Sequence, residues 1–391
     1  MKTGIRDRAA VAGVGCTKFG ERFDADAEDL LVDAVTDAID DAGISRDDID
    51  AAWVGCAYPF TGMGGSAAAD PLKLYGIPIT RVENFCATGM DAFRNACLGV
   101  ASGVYDIALA CGVEKILDQS AKGLPGIQGV FPAALADFSA PGMFGLLAVR
   151  AFHEYGWTRE DLAEVAVKNH ANGAHHPKAH FQRAITLDDA LNAPMISWPL
   201  GRFDCCAISD GAAAVIVTRP EIAKTLKHKD DYTVVKANAM AVGSGMPFYD
   251  SDFDWVGWPV NEQAARAAYT EAGIADPKRE IAFAEVHDCF TPNELLTYEA
   301  LGFCEPGKGP QWLRDGGPMI DGEVPINPSG GLKCFGHPIG ATGCRMIYEV
   351  TKQLQGRADG LQVKDPRFGL ANNLGGAGAV ATVTILARAG A

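Results

Sequence analysis

The sequence lacks the features that mark secreted, membrane-spanning or zinc-stabilised proteins. Its 391 residues contain no Cys-x-x-Cys pair and no His-Glu-x-x-His segment, and the number of cysteines, 11, is odd. A disulfide framework or a structural zinc site is therefore not expected. The chain has no basic-then-apolar leader, no apolar run long enough for a bilayer, and no peroxisomal or prenylation signal at its end. We predict reduced thiols and a cytoplasmic location.

Basic residues are also scarce. There are 34 Lys and Arg against 49 Asp and Glu, a formal net charge of −15, which argues against nucleic-acid or anionic-membrane binding. Hydrophobic residues make up 48% and charged residues 21%, so the chain can bury a large core and is not disordered. Gly13-Val14-Gly15 lacks the third glycine of a dinucleotide-binding fingerprint, so a nicotinamide cofactor is not expected.

Three kinds of element occur twice in the same order, which indicates a duplicated α/β unit. One is a strand followed by an amphipathic helix, a closing glycine and a further strand. Another is a helix that opens with Ala-Thr-Gly, and the last is a Val-rich strand after a Gly/Ala-rich turn. The first copies lie at 9–54, 86–102 and 210–215, and the second copies at 232–281, 340–354 and 375–380.

An insertion separates the two copies. It runs from about 117 to 202, is richer in Pro, His, Met and aromatic residues, and has its own predicted helix near 158–170. Such an insertion shapes a binding site or forms an oligomer contact, and the sequence leaves both open. We divide the chain into the first part of an N-terminal half (1–116), the inserted loop domain (117–202), the completion of that half (203–230) and a C-terminal half (231–391).

Two residues at equivalent positions of the copies are candidates for nucleophilic chemistry. Cys86 lies at the predicted mouth of a helix, whose free N–H groups are expected to lower the thiol pKa and to stabilise an oxyanion. His337, in Gly336-His337-Pro338, precedes the equivalent helix and is placed to deprotonate a thiol. Each residue taken alone is also compatible with a structural role.

A third candidate site follows a strand of the second half, where His287-Asp288-Cys289-Phe290 offers an imidazole donor and a proton-transfer thiol. Open α/β sheets bind ligands at strand C-termini. Metal binding is the rival interpretation, but no further ligands lie at a usable spacing. We interpret the adjacent pairs His175-His176 and Cys205-Cys206 as structural, because neighbouring side chains point in different directions.

These motifs together resemble the thiolases, in particular the sterol-carrier-protein-type and archaeal-type branch. The resemblance covers nearly the whole chain, and the His-Asp-Cys-Phe and Gly-His-Pro segments are quite specific as a pair. The matching segments are Asn84-Phe85-Cys86-Ala87-Thr88-Gly89, Ser209-Asp210-Gly211-Ala212-Ala213-Ala214, His287-Asp288-Cys289-Phe290 with Asn293-Glu294-Leu295, and the run from Asn327 to Gly343 that contains Gly336-His337-Pro338.

The resemblance implies an α/β fold of five layers, αβαβα, built from two similar halves with an inserted loop domain. It implies an acyltransferase that forms homodimers or homotetramers and acts on CoA thioesters in lipid or fatty acid metabolism. Coenzyme A is then a substrate, and no cofactor or metal is expected. Archaeal-type relatives also work with a small zinc-ribbon/OB-fold partner, and the sequence leaves open whether this chain has one.

The resemblance also implies a role for each site residue. Cys86 takes the acyl group, His337 activates it and helps to hold an oxyanion, and His287 lies beside the thioester oxygen. Many thiolases have a second cysteine in a Cys-x-Gly segment near the C-terminus. This chain has Asn373-Leu374-Gly375 there, so Cys289 replaces that cysteine. The backbone N–H groups of Cys86 and Gly375 form the other oxyanion hole.

The predicted reaction is reversible thiolytic cleavage of a 3-ketoacyl-CoA, or the reverse Claisen condensation with acetyl-CoA, through a Cys86 acyl-enzyme. Two alternatives remain open at this point. One is a retro-aldolase of the same fold that acts on a bulky side-chain acyl-CoA and needs no nucleophilic thiol. The other is a non-catalytic subunit that binds acyl-CoA. The sequence indicates neither the acyl chain length nor the physiological direction.

Overall fold

The computed structural model describes residues 4–58, 61–118, 139–244 and 252–390. The strands are β1 Ala10–Cys16, β2 Ala51–Gly55, β3 Ile79–Val82, β4 Ile107–Glu114, β5 Met195–Ser197, β6 Leu200–Gly201, β7 Gly211–Thr218, β8 Thr233–Val242, β9 Phe283–Val286, β10 Phe368–Gly375 and β11 Val380–Arg388. The helices are α1 Ala27–Ala42, α2 Ala69–Leu72, α3 Thr88–Ala101, α4 Ala140–Tyr155, α5 Arg159–Gly173, α6 Leu187–Leu191, α7 Pro220–Ala223, α8 Pro259–Ala272, α9 Pro277–Glu280, α10 Thr291–Ala300, α11 Gly309–Arg314, α12 Gly331–Phe335 and α13 Ile339–Leu354.

Capping residues at both ends of α1 explain why its bounds can be predicted from the sequence. Asp26 caps the N-terminus, and the Asp29 side chain returns the bond in a capping box. At the other end Gly43 adopts the left-handed conformation at φ 70° and bonds back to Ile39. Gly273 ends α8 in the same way at φ 74°. The two helix ends that the repeat predicts are therefore confirmed.

The main sheet has nine strands, in the order β3-β2-β4-β7-β1-β8-β11-β10-β9. The first half pairs β2 with β4 in parallel, then β4 with β7 and β7 with β1 antiparallel. The second half repeats this order from the other edge: β9 and β10 are parallel, and β10–β11 and β11–β8 are antiparallel. The halves join where β1 pairs with β8. The duplication seen in the sequence is thus a duplication of topology.

The helices complete the five predicted layers. Helix α1 packs on β1, β7 and β4, and α8 packs on β8 and β11, so these two helices form the outer layers. Helices α3 and α13 contact each other, and α13 also contacts strands of both halves. They form the central layer, with one half of the sheet on either side. The predicted α/β fold class, αβαβα, is confirmed.

Glycines at the crossing of α3 and α13 explain the repeated Ala-Thr-Gly. A Cβ on Gly343 would lie 1.9 Å from the Met90 nitrogen, and one on Gly89 would lie 2.6 Å from the Gly340 oxygen. Only glycine permits this approach of two helix backbones. The close crossing brings the loops that precede the two helices, with Cys86 and His337, to the same place.

The insertion contributes α4, α5, α6 and the small β5–β6 sheet, and residues 119–138 of it lie outside the described residues. After it the chain returns to the first half, because β7 lies between β4 and β1. The limits of the four segments remain a prediction. None of the described helices is long and apolar enough to cross a membrane.

Candidate active site

Cys86 lies in a tight loop just before α3 and is half-buried. The Thr88 hydroxyl donates to the Phe85 carbonyl and accepts the Asn84 N–H at 2.9 Å, which closes the loop on itself. Phe85 has φ 50°, a conformation that non-glycine residues rarely adopt. The loop therefore holds the thiol in one position at the end of the central helix layer.

His337 occupies the equivalent loop before α13, and a threonine again holds it. The Thr342 hydroxyl donates to the Pro338 carbonyl at 2.9 Å, so its oxygen accepts from His337 Nδ1 at 2.7 Å. A proton on Nδ1 leaves an unprotonated Nε2. That Nε2 is buried and has no hydrogen-bond partner among the described residues. His337 thus presents a lone pair, as a general base requires.

His287 directly follows β9 and has the opposite tautomer. The Asn373 amide, on β10, donates to His287 Nδ1 at 3.0 Å. A neutral imidazole that accepts at Nδ1 carries its proton on Nε2 and donates there. The two histidines therefore supply an acceptor and a donor, although they are chemically identical.

These groups meet in one cluster. One ligand atom each from Cys86, His287 and His337 lie within 4.8 Å of one another. The two imidazole rings are perpendicular, with centroids 5.2 Å apart. The structure thus brings together three of the four side chains that the sequence analysis names as catalytic. Thiol and imidazole are also ligands that soft metals accept, and the absence of a metal remains a prediction.

Burial keeps the resting site uncharged. It lowers the pKa of His337 to about 3, with a further contribution from the Arg345 guanidinium. It also lowers the pKa of His287 well below its usual range, and His337 and Arg345 add to this. Burial raises the pKa of the Cys86 thiol to about 12, although the Gly376 N–H bonds to it. The expectation of a lowered thiol pKa is therefore wrong for the free protein, because desolvation outweighs the backbone N–H groups that bond to the thiol.

Cys289 lies beside this cluster, in the loop between β9 and α10, and is buried. Burial raises its pKa well above the usual range, and the neighbouring thiols of Cys206 and Cys86 raise it further. A buried neutral thiol is a weak acid that can donate a proton and take one back.

Asp288, between His287 and Cys289, connects the two catalytic loops. Its carboxylate accepts the N–H of Leu332 at 2.6 Å and of Lys333 at 3.0 Å, both in α12. It also accepts the Asn169 amide of α5 at 2.8 Å. Burial and the nearby Glu294 raise the pKa of Asp288 to about 7, against the effect of those backbone N–H groups. The inserted helix α5 thus holds the His-Asp-Cys-Phe loop against the loop that leads to His337.

The predicted oxyanion-hole glycine lies next to Cys86, since a Cβ on Gly375 would meet the Asn84 oxygen at 2.5 Å and Ala87 at 3.2 Å. The backbone hydrogen bond that reaches the Cys86 thiol comes from the next residue, Gly376. The role of Gly375 stays a prediction, and Gly376 is a second candidate donor.

Sequence reasoning missed Asn373, Thr342, Asn169 and Cys206. Thr342 was visible in the repeated Ala-Thr-Gly, and Asn373 in the segment where many thiolases have cysteine. Asn169 and Cys206 had no local signal, because a fold is needed to bring residues so distant in sequence to this site. The interpretation of Cys205-Cys206 as structural stays a prediction, and the structure adds that the Cys206 N–H donates to the Cys289 carbonyl at 2.9 Å.

Comparison with known proteins assigns the fold and the family. The thiolase N-terminal domain matches residues 9–221, and the thiolase C-terminal domain-like family matches residues 250–388. An acetyl-CoA acetyltransferase of Methanothermobacter thermautotrophicus is 41% identical over 98% of this chain and 100% of its own. The benzoylsuccinyl-CoA thiolase subunit BbsB of Thauera aromatica is 33% identical over 95% and 96%. The solved Ltp2-ChsH2(DUF35) aldolase is 28% identical, covers 99% of both chains and superposes with a TM-score of 0.86.

Proposed function

Because the chain belongs to the thiolase family, we propose that its cluster of one thiol and two imidazoles transfers an acyl group through Cys86. The enzyme is an acyltransferase that acts on CoA thioesters. The observation that carries the proposal is the cluster itself, in which one ring nitrogen of each histidine lies within 4.8 Å of the Cys86 thiol. The hydrogen bonds at Nδ1 assign an acceptor Nε2 to His337 and a donor Nε2 to His287.

In the first step His337 Nε2 takes the proton of Cys86, and the thiolate attacks the 3-keto carbonyl of the substrate. Both imidazoles then carry a proton on Nε2. The carbon–carbon bond breaks, and its electrons move into an enolate of acetyl-CoA. The thioester oxygen of that enolate accepts hydrogen bonds from His287 and His337. The transfer of one proton from Cys86 to His337 therefore creates the thiolate nucleophile. It also makes His337 the second hydrogen-bond donor, beside His287, to the enolate oxygen.

Cys289 supplies the proton that the enolate carbon needs. Its thiol is neutral at physiological pH, because burial raises its pKa, so the proton is available when negative charge develops. The resulting thiolate then deprotonates incoming CoA, which attacks the acyl-Cys86 thioester and releases the shortened acyl-CoA. Cys86 leaves as a thiolate and regains its proton from His337. The reverse sequence is the Claisen condensation. Neither direction requires a metal or a cofactor.

The test is thiolysis of acetoacetyl-CoA and of a longer 3-ketoacyl-CoA with free CoA, followed by loss of the 3-ketothioester absorbance. We expect the wild type to cleave at least one substrate and Cys86→Ala to cleave neither. The ratio of the two rates reports the preferred chain length. Cleavage at an undiminished rate by Cys86→Ala would contradict the proposal.

A second candidate is supported by the 28% identical aldolase structure. A retro-aldol cleavage of a β-hydroxyacyl-CoA with a bulky side chain would also form an enolate between His287 and His337, but no acyl-enzyme. Cys86→Ser separates the two reactions, because it removes the thiolase nucleophile and leaves both imidazoles. Retention of aldol cleavage in this variant would support the second candidate.

We also propose a partner protein and an oligomeric state for this chain, neither of which family membership alone specifies. One relative is named as a subunit, and the aldolase relative is described together with a DUF35 component. These names support a zinc-ribbon/OB-fold type of partner, and thiolase membership supports a homodimer or homotetramer. A cytoplasmic location stays a prediction from the reduced thiols. Light scattering of the purified chain, alone and after co-expression with such a partner, tests the assembly.

A further inference from the structure

Cys206 faces Cys289 across a short antiparallel contact. Cys205 and Phe290 form an isolated antiparallel bridge, and the Cys206 N–H donates to the Cys289 carbonyl at 2.9 Å. In this register Cys206 lies directly opposite Cys289, and directly opposite side chains project to the same side. Hydrogen-bonded antiparallel pairs have Cα atoms about 5.5 Å apart, which is within the range that a disulfide requires.

The adjacent Cys205 points elsewhere. Its thiol donates to the Gly201 carbonyl at 3.5 Å, in its own segment. The alternation of side chains along an extended segment places Cys205 on the opposite face from Cys206. Cys205 therefore offers a matched control of the same residue type, one position away.

The electrostatics support the proximity of Cys206 and Cys289. After burial, Cys206 is the strongest influence that raises the pKa of Cys289, ahead of Cys86. Burial raises the pKa of the Cys206 thiol, and the buried ammonium of Lys333 opposes that rise. Cys206 is half-buried, whereas Cys289 is buried. Both residues are free thiols in this structure.

We propose that Cys206 and Cys289 form a reversible disulfide when the enzyme meets hydrogen peroxide, and that the bond withdraws Cys289 from the active site. Both thiols are neutral at rest, and each loses its proton to solvent before it reacts. Hydrogen peroxide oxidises one thiolate to a sulfenic acid and releases hydroxide, and the other thiolate attacks that sulfur and expels a second hydroxide. In total, two thiols and one peroxide give one disulfide and two waters. A dithiol reductant reverses the reaction. The loss of activity rests on the proposed role of Cys289, whereas formation of the bond does not.

The experiment treats the full-length protein with hydrogen peroxide, blocks the remaining thiols, and maps disulfide-linked peptides by mass spectrometry without reduction. CoA-thioester turnover is measured on the same samples before and after dithiothreitol, relative to the untreated rate of each variant. Wild type, Cys206→Ser and Cys205→Ser are compared. Each serine replaces a sulfur by an oxygen of similar shape.

We expect a linked peptide pair containing Cys206 and Cys289 in wild type and Cys205→Ser, with loss of most turnover and recovery by dithiothreitol. Cys206→Ser gives no such pair, and its peroxide damage is not reversed. A disulfide that contains Cys86 or Cys205 instead, or no disulfide at all, would overturn the proposal. A linked Cys206–Cys289 peptide pair with unchanged turnover would confirm the disulfide but refute the catalytic role of Cys289. The mapping is therefore independent of whether the proposed reaction is correct.

Discussion

At the scale of single residues, His337 and His287 differ in the hydrogen-bond partner of their Nδ1 atom. Thr342 accepts from one ring, and Asn373 donates to the other. The environment of Nδ1 thus decides whether Nε2 accepts or donates. Neither partner touches the substrate in the proposed mechanism, so both are positioning residues.

Asn373→Asp tests this assignment. A carboxylate at 373 accepts a hydrogen bond from His287 Nδ1–H, so the neutral ring carries its proton on Nδ1 and has a lone pair on Nε2, which cannot stabilise an enolate oxygen. Losing one such donor costs about 100- to 1000-fold in kcat, and we expect a fall of this size in thiolysis. The control is alkylation of Cys86 by iodoacetamide, which relies on His337 and should change far less. An unaltered kcat would contradict the tautomer assignment.

The pKa of Cys86 gives a second prediction at this scale. Because the pKa is raised to about 12, the thiolate fraction in the free enzyme grows about tenfold per pH unit below that value. The rate of Cys86 carbamidomethylation by iodoacetamide should therefore rise continuously from pH 7 to pH 9. A plateau that begins below pH 7 would instead show a preformed thiolate–imidazolium pair.

At the scale of elements, helix α5 supports the catalytic loops from the inserted segment. The Asn169 amide donates to Asp288 at 2.8 Å and to Glu294 at 2.6 Å, and Lys168 forms a buried ion pair with Glu294 at 2.9 Å. The insertion was expected to shape a binding site or an oligomer contact. The structure gives it a third role, which is to position the loop of His287 and Cys289.

Asn169→Ala tests that role. It removes one hydrogen-bond donor from each of two buried carboxylates, Asp288 and Glu294, which should lower the free energy of unfolding by about 1–3 kcal/mol. It should also lower kcat more than it changes KM, because Asp288 lies between two catalytic residues. Urea unfolding and steady-state kinetics measure the two effects. The control is Asn192→Ala on α6, where the amide bond is exposed. Equal behaviour of the two variants would argue against the positioning role.

Gly343→Ala tests the crossing of α3 and α13. The new Cβ would overlap the Met90 backbone nitrogen, and a backbone cannot rotate away as a side chain can. We expect a destabilisation of about 3 kcal/mol or more, since overpacking of a rigid site is costly. Gly257→Ala is the matched control, because a Cβ there meets nothing within 4 Å. Thermal unfolding compares them, and equal midpoints would contradict the account of the crossing.

At the scale of the whole molecule, the duplicated halves were predictable because their helices carry strong local signals. Periodic apolar residues indicated α1, and terminal glycines indicated the ends of α1 and α8. The pair of Ala-Thr-Gly segments indicated α3 and α13, and it placed Cys86 and His337 before equivalent helices. The pairing of β1 with β8 and the position of α5 against Asp288 depend on contacts between distant residues, so no local pattern indicates them. The raised pKa of Cys86 could not be predicted either, because burial depends on the complete fold.

The most direct test of the account is to identify the acyl-enzyme. The protein is mixed with a 3-ketoacyl-CoA in the absence of free CoA, quenched in acid and digested, and the peptide that contains Cys86 is examined by mass spectrometry. We predict one acyl group on Cys86 in the wild type, and none in Cys86→Ala or in His337→Ala at the same time point. Substrate cleavage in the wild type without any acylated Cys86 would contradict the account and favour the aldol mechanism.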